Sequence, residues 1–421
     1  MMKILIKNIK QLVQVEENPQ LKIVGKEMKI LPCINDAWLA IEDDKIAGFG
    51  KMDDWEGITD WTNLTVIDAS DKIVMPSYCD SHTHIVYAGS REGEFVDRIN
   101  GLTYEQIFER GGGILNSAKK LMEATEEDLI ESALKRLNEI MLQGTGAVEI
   151  KSGYGLSIEA ELKMLRVIKK LKTISPLTIK ATFLGAHALP NEYKTRKSDY
   201  IKLLINEIMP VIAKEQLADY CDVFCEQNYF TKEETIEILT NAKKHGMTPK
   251  VHAEQLSNFG GVLAGVEVGA ISVDHLEFIS DKDIEALKNS KTMPTILPGA
   301  AFFLNLPLPP ARKMIDAGLP VAIASDYNPG SCPSGNMNFM MSICCIQYKM
   351  TPEEAINAAT INSAYAMDLS KTHGSIAIGK LANVFITKEI PGYGFIPYSF
   401  GSNLIETVII NGEVIETKKV K

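Results

Sequence analysis

What this chain lacks narrows it first. It has no run of about eighteen apolar residues, so no membrane-spanning helix is expected. It has no block of Lys and Arg, and its balance is acidic: 44 basic against 54 acidic residues give a formal charge of −10. Nucleic acid and anionic membrane are therefore poor partners. The seven cysteines include no Cys-x-x-Cys pair, and Cys344 stands directly beside Cys345. An odd set without framework spacing argues against disulfides and for a reducing cytoplasm. The start, Met1 to Lys10, alternates apolar and charged residues like a strand and unlike a signal peptide. Internal repeats and low-complexity segments are absent. Gly111-Gly-Gly113 is followed by no Gly-Lys-Ser/Thr, so it reads as a flexible loop and not a phosphate cradle.

What is present is ordinary in bulk. The chain has 421 residues, 45% hydrophobic and 23% charged, enough for one large α/β domain and a smaller one. Residues 1–73 read as short strands, among them Lys3–Lys7, Ala37–Glu42 and Leu64–Asp68, separated by polar turns. From residue 74 to 373, strands alternate with helices. Thr103 with Gln106 and Thr231 with Glu234 are candidate capping boxes. Thr351-Pro352 followed by Glu354 is a strong helix start. Eight candidate strands end near His84, Lys151, His187, Glu226, His252, His275, Pro298 and Asp326. Eight parallel strands with helical crossovers make a (β/α)8 TIM barrel, a fold whose chemistry sits at the carboxyl ends of the strands. Residues 374–421 return to strands, with Asn411-Gly412 as a two-residue hairpin turn. The two chain ends should therefore pair into one small, discontinuous β-sandwich domain.

The residues at those strand ends carry the chemistry. The stretch Val74-Met-Pro-Ser-Tyr-Cys-Asp-Ser-His-Thr-His84 reads as a buried strand ending in two imidazoles. Side chains alternate along a strand, so His82 and His84 face the same way and can share one metal ion. A lone His-x-His is weak, and a stable site needs about three or four protein ligands. Of only seven histidines, five fall at predicted strand ends: His82, His84, His187, His252 and His275. His245, beside Gly246, is expected at a helix C-terminus, and His373 in a polar loop. Asp326 ends the eighth strand, which in a barrel lies beside the first. His82, His84, His252 and Asp326 then form a ligand set with an open position, suited to one zinc or iron(II) ion.

These residues resemble the amidohydrolase superfamily, as does the closing Gly374-Ser-Ile-Ala-Ile-Gly-Lys-Leu-Ala-Asn383. Five further segments, in order along the chain, resemble the imidazolonepropionase family within it. They are Gly153-Tyr-Gly155 after Glu149-Ile-Lys, Phe183-Leu-Gly-Ala-His187-Ala-Leu-Pro, His252-Ala-Glu-Gln-Leu-Ser257, Asp274-His-Leu-Glu277 and Ser325-Asp-Tyr-Asn-Pro-Gly-Ser331. The resemblance implies metal-dependent opening of the ring of 4-imidazolone-5-propanoate by water, in histidine degradation. It implies His275 as base or oxyanion support, Asp326 as ligand and proton carrier, and His187 at the ring. Arg91 is then suited to the propanoate, because a guanidinium grips a carboxylate with two parallel hydrogen bonds. Tyr154 becomes a lid residue, and Asn328, Gly330 and Ser331 substrate contacts or simply the turn that Pro329 requires.

Two positions depart from related ring deaminases. Their glutamate three residues after the strand-five histidine is Gln255 here, read as a substrate hydrogen-bonder, while Glu254 should point to the other strand face. Dinuclear members carry a lysine at the end of strand four, where this chain has Cys225-Glu226, which favours a single metal. Lys151 is expected to form an ion pair within the barrel. A cytosine- or guanine-type aminohydrolase would keep the metal site but have no need of Arg91. A non-catalytic scaffold would have lost ligands, and a metal buffer would not need the barrel. The expected partners are a small-molecule substrate and at most a second copy of the chain in a homodimer.

Overall fold

The computed structural model describes residues 2–102, 106, 110 and 112–415. The capping box expected at Thr103, the start of the triglycine at Gly111 and the last six residues lie outside them. Eight strands form one parallel sheet in chain order: Tyr78–Thr83, Thr145–Lys151, Thr178–Ala186, Tyr220–Cys225, Thr248–Ala253, Ser272–His275, Met293–Ile296 and Ala322–Ile323. Each is short and buried, as the apolar bodies predict. The sheet closes where its last strand meets its first. There the Asp326 amide donates to the His82 carbonyl at 3.0 Å, and the His84 amide to the Tyr327 carbonyl at 2.9 Å. The closing seam is thus made by the residues read as metal ligands.

The crossover helices begin where their caps predict. Thr231 and Glu234 cap each other around Lys232–Lys244, and Thr351 with Glu354 does the same before Pro352. Thr125 and Ser157 each accept an amide at the start of a seventeen-residue helix, Glu126–Leu142 and Ile158–Ile174. Satisfying one otherwise orphaned N–H in this way stabilises a helix by about 1 kcal/mol.

The second sheet has eight strands and draws on both chain ends. Its order is Glu413–Ile415, Ile405–Ile410, Val384–Glu389, Lys72–Pro76, Lys3–Val13, Cys33–Glu42 and Lys45–Lys51, with Leu64–Asp68 also pairing with Lys3–Val13. The tail joins the N-terminal strands through Val384–Glu389, antiparallel to Lys72–Pro76. Asn411 and Gly412 take φ of 50° and 75°, the left-handed pair that a tight hairpin requires. The stretch from Val74 to His84, expected as one strand, is two. Val74, Met75 and Pro76 pair with the tail, and the chain passes into the barrel at Ser77. Ile4, Ile6, Leu39, Val74, Val384 and Ile386 gather into an apolar core belonging to this sheet.

The barrel interior differs from the usual layers of branched apolar residues. In the second strand Val148 and Ile150 join the apolar core, so Glu149 and Lys151 point the opposite way, inward. They meet Asp222, Lys250 and Asp274 from strands four, five and six, and all five side chains are fully buried.

Candidate active site

Three imidazoles converge at the carboxyl ends of strands one and five. His82, His84 and His252 each offer a ring nitrogen, and these atoms lie within 4.8 Å of one another, all buried. Two of the rings are fixed from behind. His82 Nδ1 is 2.7 Å from Asp274 Oδ2, and His252 Nδ1 is 2.9 Å from Asp222 Oδ2. A carboxylate at Nδ1 selects the tautomer protonated there, which leaves the Nε2 lone pair free. His82 Nε2 has no hydrogen-bond partner although it is completely buried. Burial holds all three imidazoles neutral, pushing His252 down to about 3 and the other two well below their usual value. Neutral, pre-oriented, unpartnered ring nitrogens are what a divalent transition metal needs, so these residues fit such an ion.

Asp326 stands at the same point. Its Oδ1 is 3.7 Å from His82 Nε2 and 3.6 Å from His84 Nε2. Its backbone is left-handed, with φ 58°, which turns the carboxylate off the strand direction and over the mouth. Ser331 Oγ donates to Asp326 Oδ2 at 2.9 Å. Below it, Asp80 accepts from the Ser325 amide and hydroxyl at 2.9 and 2.5 Å, which locks strand eight to strand one.

The other predicted residues surround this point. The His187 ring stacks on His84 with centroids 5.5 Å apart, and Tyr154 lies 5.7 Å from each of them. His275 closes strand six, its ring 5.2 Å from that of His252. His275 and Leu276 take φ of 92° and 75°, costing on the order of 1–3 kcal/mol each for side-chain-bearing residues. Nearby, Glu277 Oε1 sits 3.7 Å from His275 Nδ1. Burial would lower the His275 imidazole, but Glu277, Asp326 and Asp274 together raise it.

Arg91 follows the first strand and reaches the same mouth. Its guanidinium lies 5.9 Å from the Tyr154 ring, its Nε donates to Ser117 Oγ at 2.9 Å, and its Nη1 packs so close to Gly330 that any side chain at 330 would collide with it. Asn328 Oδ1 accepts the amides of Gly330 and Ser331 at 2.7 and 2.8 Å. Its amide nitrogen donates to the Asp326 carbonyl at 2.7 Å and to Ser331 Oγ. Asn328 is thus engaged in building the turn, while Gly330 and Ser331 face Arg91 and Asp326. Gln255 is half-buried in the loop after strand five.

Several residues were invisible or half-read in the sequence. Asp222, Asp274, Glu149 and Lys250 lie mid-strand, where only their charge inside an apolar run hints at an inward position. Lys151 Nζ reaches Glu149 at 2.6 Å, Asp222 at 2.8 Å and Asp274 at 3.8 Å, the expected ion pair enlarged to a hub. Lys250 pairs with Glu149 and donates to the Ser81 carbonyl at 2.8 Å. Burial would raise the Asp222 carboxylate, but His252 and Lys151 outweigh it and hold it well below its usual range. Glu254 faces away from the mouth and accepts amides of Gly260 and Val262, at the start of the helix Gly261–Val268. Glu226 is likewise occupied, accepting the amides of Leu256 and Ser257 at 2.9 and 3.2 Å and so holding the Gln255 loop. His245 caps a helix C-terminus as expected. His373 is buried and not in an open polar loop, because its turn tucks under the barrel, where Nε2 meets Thr178 Oγ1 at 3.0 Å.

A closed parallel barrel with imidazoles and an aspartate at the carboxyl ends of strands one, five and eight defines a hydrolase of the amidohydrolase type. The amidohydrolase family pattern matches residues 89–415. Solved structures agree on the fold. A triazine hydrolase from Arthobacter aurescens superposes with a TM-score of 0.74 at 15% identity, over 98% of this chain and 94% of that one. A zinc-bound adenosine deaminase from Xanthomonas campestris gives 0.70 at 14% identity, over 98% and 92%. Sequence relatives are far closer. The imidazolonepropionase of Christiangramia forsetii is 60% identical over 98% of this chain and 100% of its own length. That of Flavobacterium johnsoniae is 58% identical over 98% and 99%. The chain belongs to the amidohydrolase family and, within it, to the imidazolonepropionases.

Proposed function

We propose that the chain opens the ring of 4-imidazolone-5-propanoate with water to give N-formimidoyl-L-glutamate, the third step of L-histidine degradation. His82, His84, His252 and Asp326 would hold one zinc or iron(II) ion per chain, since mixed imidazole and carboxylate ligands suit either. When bound, such an ion polarises a carbonyl and lowers the pKa of water from about 15.7 toward about 7.

The chain's own groups do the rest. Arg91 grips the propanoate with a pair of charge-assisted hydrogen bonds. Tyr154 and His187 flank the ring, Asn328, Gly330 and Ser331 line the side where Arg91 enters, and Gln255 supplies a hydrogen bond from the loop after strand five. His275 takes a proton as the water oxygen bonds to the ring carbonyl carbon. The carbon–nitrogen bond then breaks, and the proton passes by way of the Asp326 carboxylate to the leaving nitrogen. Substrate is thereby consumed with one water, and the side chains return to their starting protonation.

The observation that carries this reading is Arg91 beside Tyr154 and Gly330, at the mouth that holds the three imidazoles. A cation there suits a substrate with a carboxylate tail better than a bare base, and Glu94, 3.9 Å from Arg91 Nε, helps to hold it at the mouth. The test is loss of imidazolone absorbance with purified protein, run beside cytosine and guanine. Turnover of the imidazolone alone is expected. Turnover of either base without the imidazolone would overturn the assignment. The proposal extends to a homodimer, read by light scattering, and to a reducing cytoplasm, which suits seven free cysteines. Among the described residues no helix is long and apolar enough to cross a membrane.

A further inference from the structure

We propose that Glu277 is the positioning partner of His275, a third carboxylate–imidazole pair that aims the ring taking the water proton. The inference rests on the reading of His275 as the group that takes the water proton. Glu277 is buried, and neither of its carboxylate oxygens has a hydrogen-bond partner. Buried carboxylates are costly unless paired, so an unpaired one beside an active site has a task to explain it. Among the described residues, the cation-forming group within 4 Å of it is His275, whose Nδ1 lies 3.7 Å from Glu277 Oε1 and is itself unpartnered.

The backbone is built to make this approach. In an extended strand, residues 275 and 277 would be carried apart along the chain. The left-handed turn at His275 and Leu276 instead folds Glu277 back beside the ring. Neighbouring strand-five residues hold that turn: the Leu276 amide donates to the Ala253 carbonyl at 3.0 Å, and the Phe278 amide to the Glu254 carbonyl at 2.8 Å.

Comparison with the other two pairs gives the arrangement its meaning. His82 and His252 rest on Asp274 and Asp222 at 2.7 and 2.9 Å, short contacts suited to rings that must not move. The His275–Glu277 pair is longer, at 3.7 Å, slightly beyond a hydrogen bond. With Nδ1–H toward Glu277, the Nε2 edge is the one left to meet the water.

The test is a double-mutant cycle in the metal-loaded enzyme. Glu277→Ala and the isosteric Glu277→Gln should lower kcat about 10–100-fold, the usual effect of losing such a supporting partner, with KM, metal content and Tm close to the parent's. His275→Ala should lose more. In the His275→Ala background, Glu277→Ala should then cost less than about twofold, since it acts only through that ring. An equal loss in both backgrounds, or a loss confined to KM, would overturn the pairing while leaving the His275 assignment intact. Parent-like kcat in both Glu277 variants would overturn it as well. Full turnover by His275→Ala would remove the reading of His275 and this inference with it.

Discussion

Inside the small sheet, Ile4, Ile6, Leu39 and Val74 pack into an apolar cluster, whereas the inside of the barrel holds Glu149, Lys151, Asp222, Lys250 and Asp274. Both sets of side chains are buried. They differ in what burial achieves. Apolar side chains gain on leaving water, about 25 cal/mol for each Å². Charges lose on leaving it, and their mutual attraction seldom does more than offset the loss. A barrel filled with ion pairs is therefore not built that way for stability. Its carboxylates end on Nδ1 of His82 and His252, so its interior organises the mouth, while the small sheet supplies stability without chemistry.

Substitutions that strip each interior should separate the two roles. Lys151→Met leaves Asp222 and Glu149 without their shared cation, and breaking a buried pair costs about 3–5 kcal/mol. Denaturant unfolding should read that loss, together with weaker metal retention, because Asp222 then supports His252 without the cation that shares its Oδ2. Leu39→Ala in the small sheet should cost about 2–5 kcal/mol of stability with kcat unchanged. If both variants lose stability and neither loses metal, the contrast between the interiors is wrong.

His373 tests whether a buried polar group away from the mouth matters only for folding. Burial pushes its imidazole down to about 4 from the usual 6.5. The folded state thus resists protonation that the unfolded state accepts. Its stabilising share is present above pH about 6.5 and is lost as pH falls through about 4, amounting to about 3 kcal/mol at most. His373→Asn should flatten the fall of Tm between pH 7 and 4 and leave kcat as it was. An unchanged Tm profile would show that the group does not titrate with unfolding.

The smallest effect belongs to the rim. Arg91→Ala should weaken binding of the propanoate substrate by about 1.5–3 kcal/mol, a factor of roughly 10–150, with metal content unchanged. Lysine should rescue only in part, since it lacks the planar fork. Parent-like KM in Arg91→Ala would make the arginine a surface charge.

Much of this was legible because strand ends and chemistry coincide. His82, His84, His252, His275 and Asp326 each close a short apolar run, and a parallel barrel collects such ends at one mouth. The pairing of the chain ends was readable from two sets of alternating strands. The supports were not. Lys151 meets Asp222 from 71 residues away and His82 meets Asp274 from 192, and nothing in a single sequence marks such partners. A lysine mid-strand, like Lys250, looks like a solvated face until the strand's inward side is known. The apolar run Val74–His84 does not reveal the change of sheet at Ser77. Glu277 could not be seen to return to His275, because the left-handed turn between them is carried by His and Leu, not by a glycine that would have announced it.

The claim on which all of this depends is that three imidazoles and Asp326 hold one divalent ion. Elemental analysis of the purified protein, with His252→Ala alongside, tests it most directly. The account predicts about one zinc or iron per parent chain, as the ligand count implies, and none in His252→Ala. Two tightly held ions per parent chain, or metal retained in full by the variant, would contradict it.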